Sequence, residues 1–205
     1  MISVLCPTRR RWDMLTESLA SLETRRTGDG TAEYLVAHDP DDPPPYPPPP
    51  HARFWEAPQR YGYSRLHEYY NALAARARGE WLFIWNDDAR LVSEGWDEVI
   101  GAQEPAFLFP QHDGPPHCNG FPAWPAGWTR LLGHVSLDPY ADTWMQQIAE
   151  ALGVQRKIPV QLTHTAPDDP TWREGRAVTP LANYARDGLT AAWETDLARL
   201  REHLQ

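Results

Sequence analysis

Three features of this sequence predict an α/β domain with a mostly parallel central sheet flanked by helices. Short apolar runs at residues 2–6, 34–37 and 81–85 alternate with segments of helical spacing. The run Trp81-Leu82-Phe83-Ile84-Trp85 shows no polar alternation, which fits a strand covered on both faces. Asn86, Asp87 and Asp88 follow it directly, and the carboxyl ends of such strands are where open α/β sheets bind ligands. Continued strand alternation would put Asn86 and Asp88 on one face and Asp87 on the other.

Taken in order, residues 2–6 form a buried first strand that Pro7 stops, and the loop Pro7-Thr8-Arg9-Arg10-Arg11 follows. Asp13 is expected to cap a helix bearing Leu15, Leu19 and Leu22. Gly28-Asp29-Gly30 reads as a turn, and residues 34–37 as a second strand ending in His38-Asp39. Residues 39–50, DPDDPPPYPPPP, exclude helix and central strand; a stiff extended connection is expected rather than an SH3-type ligand. Residues 53–55 make a third strand. Ser64 is placed to cap a helix carrying Leu66, Tyr70, Leu73 and Ala77, with Gly79 ending it in the left-handed conformation.

In the second half, residues 95–103 read as a short helix and 106–109 as a strand. Residues 110–137, rich in Pro, Gly and Trp, read as an irregular segment over the sheet. Asp138-Pro139 has the form of a helix start, followed by the stripe Trp144, Ile148, Leu152 and a terminating Gly153. Ile158, Val160, Leu162 and His164 alternate with polar residues and so share one face of a strand. A last helix from about residue 189 bears Leu189, Trp193, Leu197, Leu200 and Leu204 on one side. No internal repeat or domain boundary interrupts the 205 residues, so a single domain is expected over 1–205.

Composition narrows the class. Hydrophobic residues at 41% and charged residues at 23% are those of a water-soluble globular protein. The formal charge of −9 argues against a protein that coats nucleic acid non-specifically, although Arg9-Arg10-Arg11 and Arg25-Arg26 are local basic clusters. Cys6 and Cys118 alone imply no disulfide framework. With Met1 leading straight into a strand and no apolar run near 18 residues, a cytoplasmic protein without membrane association is expected.

Three segments together resemble the GT-A glycosyltransferases of the family 2 type. ISVLCPTRRR is similar to that family's opening strand and Pro-Thr-Arg loop, and YLVAHD to its second strand. GYSRLHEYYNALAARARGEWLFIWNDD is similar to its helix with an asparagine (here Asn71), then glycine, then the strand entering an Asp-any-Asp metal motif. The resemblance implies a Rossmann-like domain whose residues 1–100 bind a nucleotide-diphosphate sugar and whose residues 101–205 form a helical and irregular acceptor side. It further implies a divalent cation, Mn2+ or Mg2+, which stabilises the leaving phosphates as a Lewis acid.

Carried over residue by residue, Asp88 matches the last acid of the motif and would ligate the metal. Asn86 stands where many members have the first Asp; an amide can bond ribose but brings no charge, and Asp87 is the neighbouring acid that would compensate. Asp39 would accept from the nucleobase, Pro7, Thr8 and Arg9 would line the nucleotide pocket, and Arg65 would reach the diphosphate. DPYADTW resembles the stretch carrying the general base of inverting members, which points to Asp142, with Asp138 as the alternative and a helix-terminus carboxylate as the structural explanation. His164 resembles the late histidine that completes the metal shell, a strand-end core histidine being the other explanation.

Asp168-Asp169-Pro170-Thr171-Trp172 reads as a lid or a surface turn, and Trp124 and Trp128 as an acceptor platform or as core. The acceptor is expected to be a saccharide or a modified DNA base such as a 5-hydroxymethyl pyrimidine. Competing expectations are a nucleotide-sugar-binding protein without transferase activity and a sugar nucleotidyltransferase. The latter is disfavoured because the loop after the first strand, PTRRRW, has no glycine.

Overall fold

β1 (Ile2–Pro7), β2 (Ala32–His38), β3 (Ala52–Glu56) and β4 (Trp81–Ile84) pair in parallel in the order β3-β2-β1-β4. The structure is a computed structural model that describes residues 1–28, 30, 32–45, 47–49, 51–113, 120–164 and 188–205. Beyond β4 the sheet becomes mixed. β7 (Ala123–Pro125) runs antiparallel to both β4 and β6 (Phe107–His112); β8 (Gln155–His164) is parallel to β6, and β5 (Ala89–Leu91) is antiparallel to β8. The eight strands form one sheet in the order β3-β2-β1-β4-β7-β6-β8-β5.

Helices cover both faces, and the apolar run of β4 shows why it needs no polar residue. Its side chains alternate: Trp81 and Phe83, with Trp85 just beyond, enter one core, and Leu82 and Ile84 the other. The first core is closed by α1 (Trp12–Thr24) through Leu15, Leu19 and Leu22, and by α3 (Trp96–Gly101) through Trp96 and Ile100. The second is closed by α2 (Leu66–Ala74), α4 (Ala126–Leu132), α5 (Ala141–Leu152) and α6 (Thr190–His203). No described helix is long and apolar enough to cross a membrane.

Several local expectations are corrected. Asp13, Ser64 and Asp138 do not cap helices. Asp13 lies in the first turn of α1, and Ser64 lies within a 3-10 turn (Tyr63–Arg65) ahead of α2. Asp138 accepts from Tyr140 N at 2.9 Å, before α5 begins at Ala141. Residues 110–137 are less irregular than their composition suggests, because Trp124 and its neighbours pair with β4 and Gly133 ends α4 in the left-handed conformation. Trp124 and Trp128 are core residues: Trp124 is fully buried, stacks on Phe107 at 5.9 Å and donates to Thr129 Oγ1, and Trp128 is buried beside it. They form no acceptor platform. Gly153 does end α5 in the left-handed conformation, with φ 68°. Cys6 is buried; Cys118, Asp29 of the first turn, Tyr46 and Pro50 of the proline segment, and the 168–172 segment lie outside the described residues.

Gly79 has a different task from the helix stop expected of it. α2 already ends at Ala74, and Gly79 lies on Ser3, where an added Cβ would sit 2.6 Å from Ser3 Oγ and 2.7 Å from its backbone nitrogen. Its own N–H donates to Ser3 Oγ at 2.8 Å. Gly79→Ala is therefore expected to destabilise the fold by about 1–3 kcal/mol, since backbone has to move. A lowered urea midpoint at unchanged slope is the result that checks it.

Candidate active site

The connection from β1 runs through α1 to β2 on one side, and the chain returns through α2 to β4 on the other. The strand order therefore reverses at β1, and its carboxyl end is a switch point of the kind where such sheets bind ligands in a crevice. Three short segments meet there: Pro7 to Arg11 after β1, His38 to Asp42 after β2, and Asn86 to Asp88 after β4. The crevice is closed across the β1–β4 gap by Thr8, whose hydroxyl donates to Asp87 Oδ2 at 2.7 Å while its N–H donates to Ala37 O at 2.9 Å.

On the β2 side, Asp39 is buried and held at both oxygens. Arg9 Nη1 donates to Oδ2 at 2.6 Å, and the Tyr69 hydroxyl makes a short bond to Oδ1. Burial and Asp39 together raise Tyr69 to about 12, so it remains a donor at neutral pH. The same phenol oxygen accepts from Tyr61 N and Gly62 N, tying the loop before α2 to this pocket. Arg9 also forks onto Asp41 at 2.7 and 2.8 Å. Asp42 accepts from Arg10 N and Trp12 Nε1, which holds Arg10 at its positive φ of 56°. Carboxylate oxygens have further lone pairs, so Asp39 can still accept from a base. The Arg65 side chain is exposed, pairs with Glu68 at 2.9 Å and lies over the Tyr61 ring.

At the end of β4 the alternation expected for Asn86, Asp87 and Asp88 stops, because the chain turns after Ile84 and Ala89 N bonds back to Asn86 O. Ser18 on α1 fixes this turn: its hydroxyl lies 2.7 Å from Ala89 O and 3.2 Å from Asn86 O and accepts from Trp85 Nε1. Asn86 Oδ1 faces the Tyr70 hydroxyl at 3.2 Å. Asp87 and Asp88 instead share Arg11, whose Nη1 is 3.0 Å from Asp87 Oδ1 and 3.5 Å from Asp88 Oδ2. With Thr8 on one oxygen and Arg11 on the other, Asp87 is buried and hydrogen-bonded at both oxygens. Burial raises it to about 6, against the opposing pull of Arg11 and with help from Asp88. Cys6, buried beside the same acids, is pushed well above the usual thiol range and is inert.

Asp88 Oδ1 is the exception in this network. It is buried and accepts no aligned hydrogen bond, and His164 Nε2 at the end of β8 lies 3.0 Å from it at ion-pair distance. Burial lowers the His164 imidazole, and the Asp88 carboxylate more than offsets this, so its pKa is raised. Among the described residues no three His, Cys, Asp or Glu side chains form a ready metal cluster. Divalent cations of the Mg2+ and Mn2+ kind are nevertheless often held by one or two protein groups, with phosphates and water completing the shell. One carboxylate oxygen and one imidazole are a donor set that Mn2+ accepts. The residues present fit such an ion.

Asp142, the second residue of α5, is half-buried and closely surrounded by protein. Burial raises its carboxyl above the usual carboxylate range, opposed by hydrogen bonds from its own N–H and from the N–H and hydroxyl of Thr143. Asp142, Asp87 and Asp88 all act on the buried Tyr70 hydroxyl and, after burial itself and Cys6, push it further up. Asn71 helps position the segment leading to α5. Its Nδ2 donates to Ser136 O at 2.8 Å and its Oδ1 accepts from Val135 N at 2.7 Å. Tyr69 and Asp42 had no recognised role in the sequence, and Arg11 was read only as part of a local basic cluster.

No protein-family model and no curated protein matches this sequence. Solved structures do. The mannosyltransferase PcManGT from Pyrobaculum calidifontis, in complex with GDP-Man and Mn2+, aligns with a TM-score of 0.67 at 15% identity, over 98% of this chain and 68% of that one. This chain has the glycosyltransferase GT-A fold. S. aureus TarS 1–349 in complex with UDP matches the same fold with a TM-score of 0.60 at 14% identity, over 94% of this chain and 70% of that one. Its complex with UDP-GlcNAc aligns at 0.59 and 11% identity, over 95% and 72%. At these identities the GT-A fold is what is shared.

Proposed function

We propose that this chain is a metal-dependent glycosyltransferase that moves a sugar from a nucleoside-diphosphate sugar, UDP-linked, to an acceptor hydroxyl with inversion. The observation that carries this is Asp88 Oδ1, a buried carboxylate oxygen without an aligned donor, facing His164 at the ligand end of a GT-A sheet. Asp88 and His164 would hold the divalent ion, which when bound offsets the charge that builds on the departing diphosphate. Asp39 and the Pro7-Thr8-Arg9 turn border the base and ribose side, and Asn86, fixed by Tyr70, offers an amide to the ribose or phosphates. Asp142 removes the acceptor proton as its oxygen attacks the anomeric carbon from the face opposite the leaving phosphate.

A neutral saccharide fits as acceptor better than a modified base in DNA. Most of the arginines in the two basic clusters are paired within the protein: Arg9 on Asp39 and Asp41, Arg11 on Asp87 and Asp88, Arg26 on Glu23, and Arg25 on Val92 O, with Arg10 exposed. With a net charge of −9, little counterion release is left to drive DNA binding. The test is calorimetric titration of UDP, GDP, dTDP and CDP with Mn2+ and with chelator. Metal-dependent binding of one of them is expected, and binding of none under either condition would remove the proposal.

A further inference from the structure

Arg11 is nine-tenths buried, and its guanidinium lies between the two acids that end β4. A guanidinium stays charged at any pH the folded protein meets. The acidic pair is therefore already half neutralised before any ligand arrives, and Asn86 adds no charge to it. Each oxygen of Asp87 already accepts a hydrogen bond, one from Thr8 and one from Arg11. Asp88 is left as the one acid with an oxygen open towards His164, and its other oxygen faces Arg11 at 3.5 Å. A divalent cation entering beside Asp88 meets a fixed positive charge only one carboxylate away.

Building on the donor-and-metal reading of this crevice, we infer that Arg11 is a built-in counter-cation that makes metal binding conditional on the donor diphosphate. Alone, the ion is opposed by Arg11 and held by a single acid and an imidazole. A diphosphate brings negative charge that attracts both the ion and the guanidinium, so the three assemble together. Linkage makes the effect reciprocal: the nucleotide raises the affinity for the ion by the same factor as the ion raises affinity for the nucleotide. Arg11 is thus a positioning residue, since it acts through Asp87 and Asp88. The same contacts explain why the residue is buried at all, since an unpaired guanidinium at this depth would be strongly destabilising.

The experiment measures Mn2+ affinity from the spin-resonance signal of the free ion, with and without UDP, in wild type, Arg11→Gln and Arg11→Lys, with thermal melting of each. Wild type is expected to bind Mn2+ weakly alone and much more tightly with UDP. In Arg11→Gln the nucleotide-free affinity is expected to rise about tenfold, within the usual range of coupling between sites, and the gain from UDP to shrink. Arg11→Lys, which keeps the charge, is expected to behave as wild type. Unchanged or weaker nucleotide-free affinity in a folded Arg11→Gln protein would overturn the inference. Tight nucleotide-free binding by Arg11→Lys would do so as well, and that arm stands even if Arg11→Gln fails to fold. Failure of the underlying functional proposal looks different: wild type would bind no Mn2+ even with the nucleoside diphosphates.

Discussion

Asp88→Ala is expected to abolish metal-dependent binding of the donor nucleotide. Asp88 is the acid at the end of β4 with an oxygen open to His164, because Asp87 is occupied by Thr8 and Arg11. Groups that merely support a metal ligand are worth 10–100-fold in metal affinity, so loss of the carboxylate ligand itself should cost at least about a hundredfold. The substitution leaves Arg11 its contact with Asp87 and removes a carboxylate oxygen that lacks an aligned donor, so the variant should remain folded. Calorimetry with Mn2+ and UDP, set beside a melting curve, separates these outcomes. A folded Asp88→Ala protein that still binds nucleotide in a Mn2+-dependent way would show that the ion sits elsewhere.

Asp142→Asn is expected to lower kcat by about 10²–10⁴-fold, the usual worth of a positioned general base, while nucleotide affinity stays within about twofold. The amide keeps the shape of the side chain and its place at the helix start but cannot take a proton. The pH dependence gives a second signature. A base works only when ionised, and burial raises Asp142 above the usual carboxylate range, more than its hydrogen bonds to the helix start lower it. Wild-type kcat should therefore rise with pH through a midpoint above that of an ordinary aspartate. The residual activity of the Asn variant should lack that limb. Equal kcat in both proteins, or product with retained anomeric configuration, would remove Asp142 from the role.

Much of this architecture was legible in the chain because it depends on local pattern. The unbroken run of β4 predicts a strand covered on both faces, and the two cores divide its side chains accordingly. The β1 and β2 runs, the stripe of α5 and its terminating Gly153 follow from periodicity and turn chemistry in the same way. The position of Asp88, directly after a buried strand, already singled it out as a candidate ligand residue. The missed elements were those whose stability comes from a distant partner. β7 and α4 sit in a Pro- and Trp-rich segment, and they form because β4 supplies an open edge and the second core takes up Trp124 and Trp128.

Inside the crevice the division is sharper. Residue types and the strand-end position were written in the sequence, since carboxylates and a histidine at such places are chemically conspicuous. Which of them touch was not. Thr8 and Asp87 are 79 residues apart, and Arg11 and Asp88 are 77 apart; neither pair has a periodic signature. The pairing of β1 with β4 brings their loops together, and burial then requires each charge to find a partner. That requirement ties up Asp87 and Arg9, keeps Arg65 on the surface with Glu68, and leaves one oxygen of Asp88 facing His164. Local sequence determined the strands and the chemical groups at their ends, because periodicity and side-chain type are short-range properties. Only the tertiary structure decided which acidic oxygen is left without an aligned donor beside His164, because that depends on long-range packing and charge neutralisation.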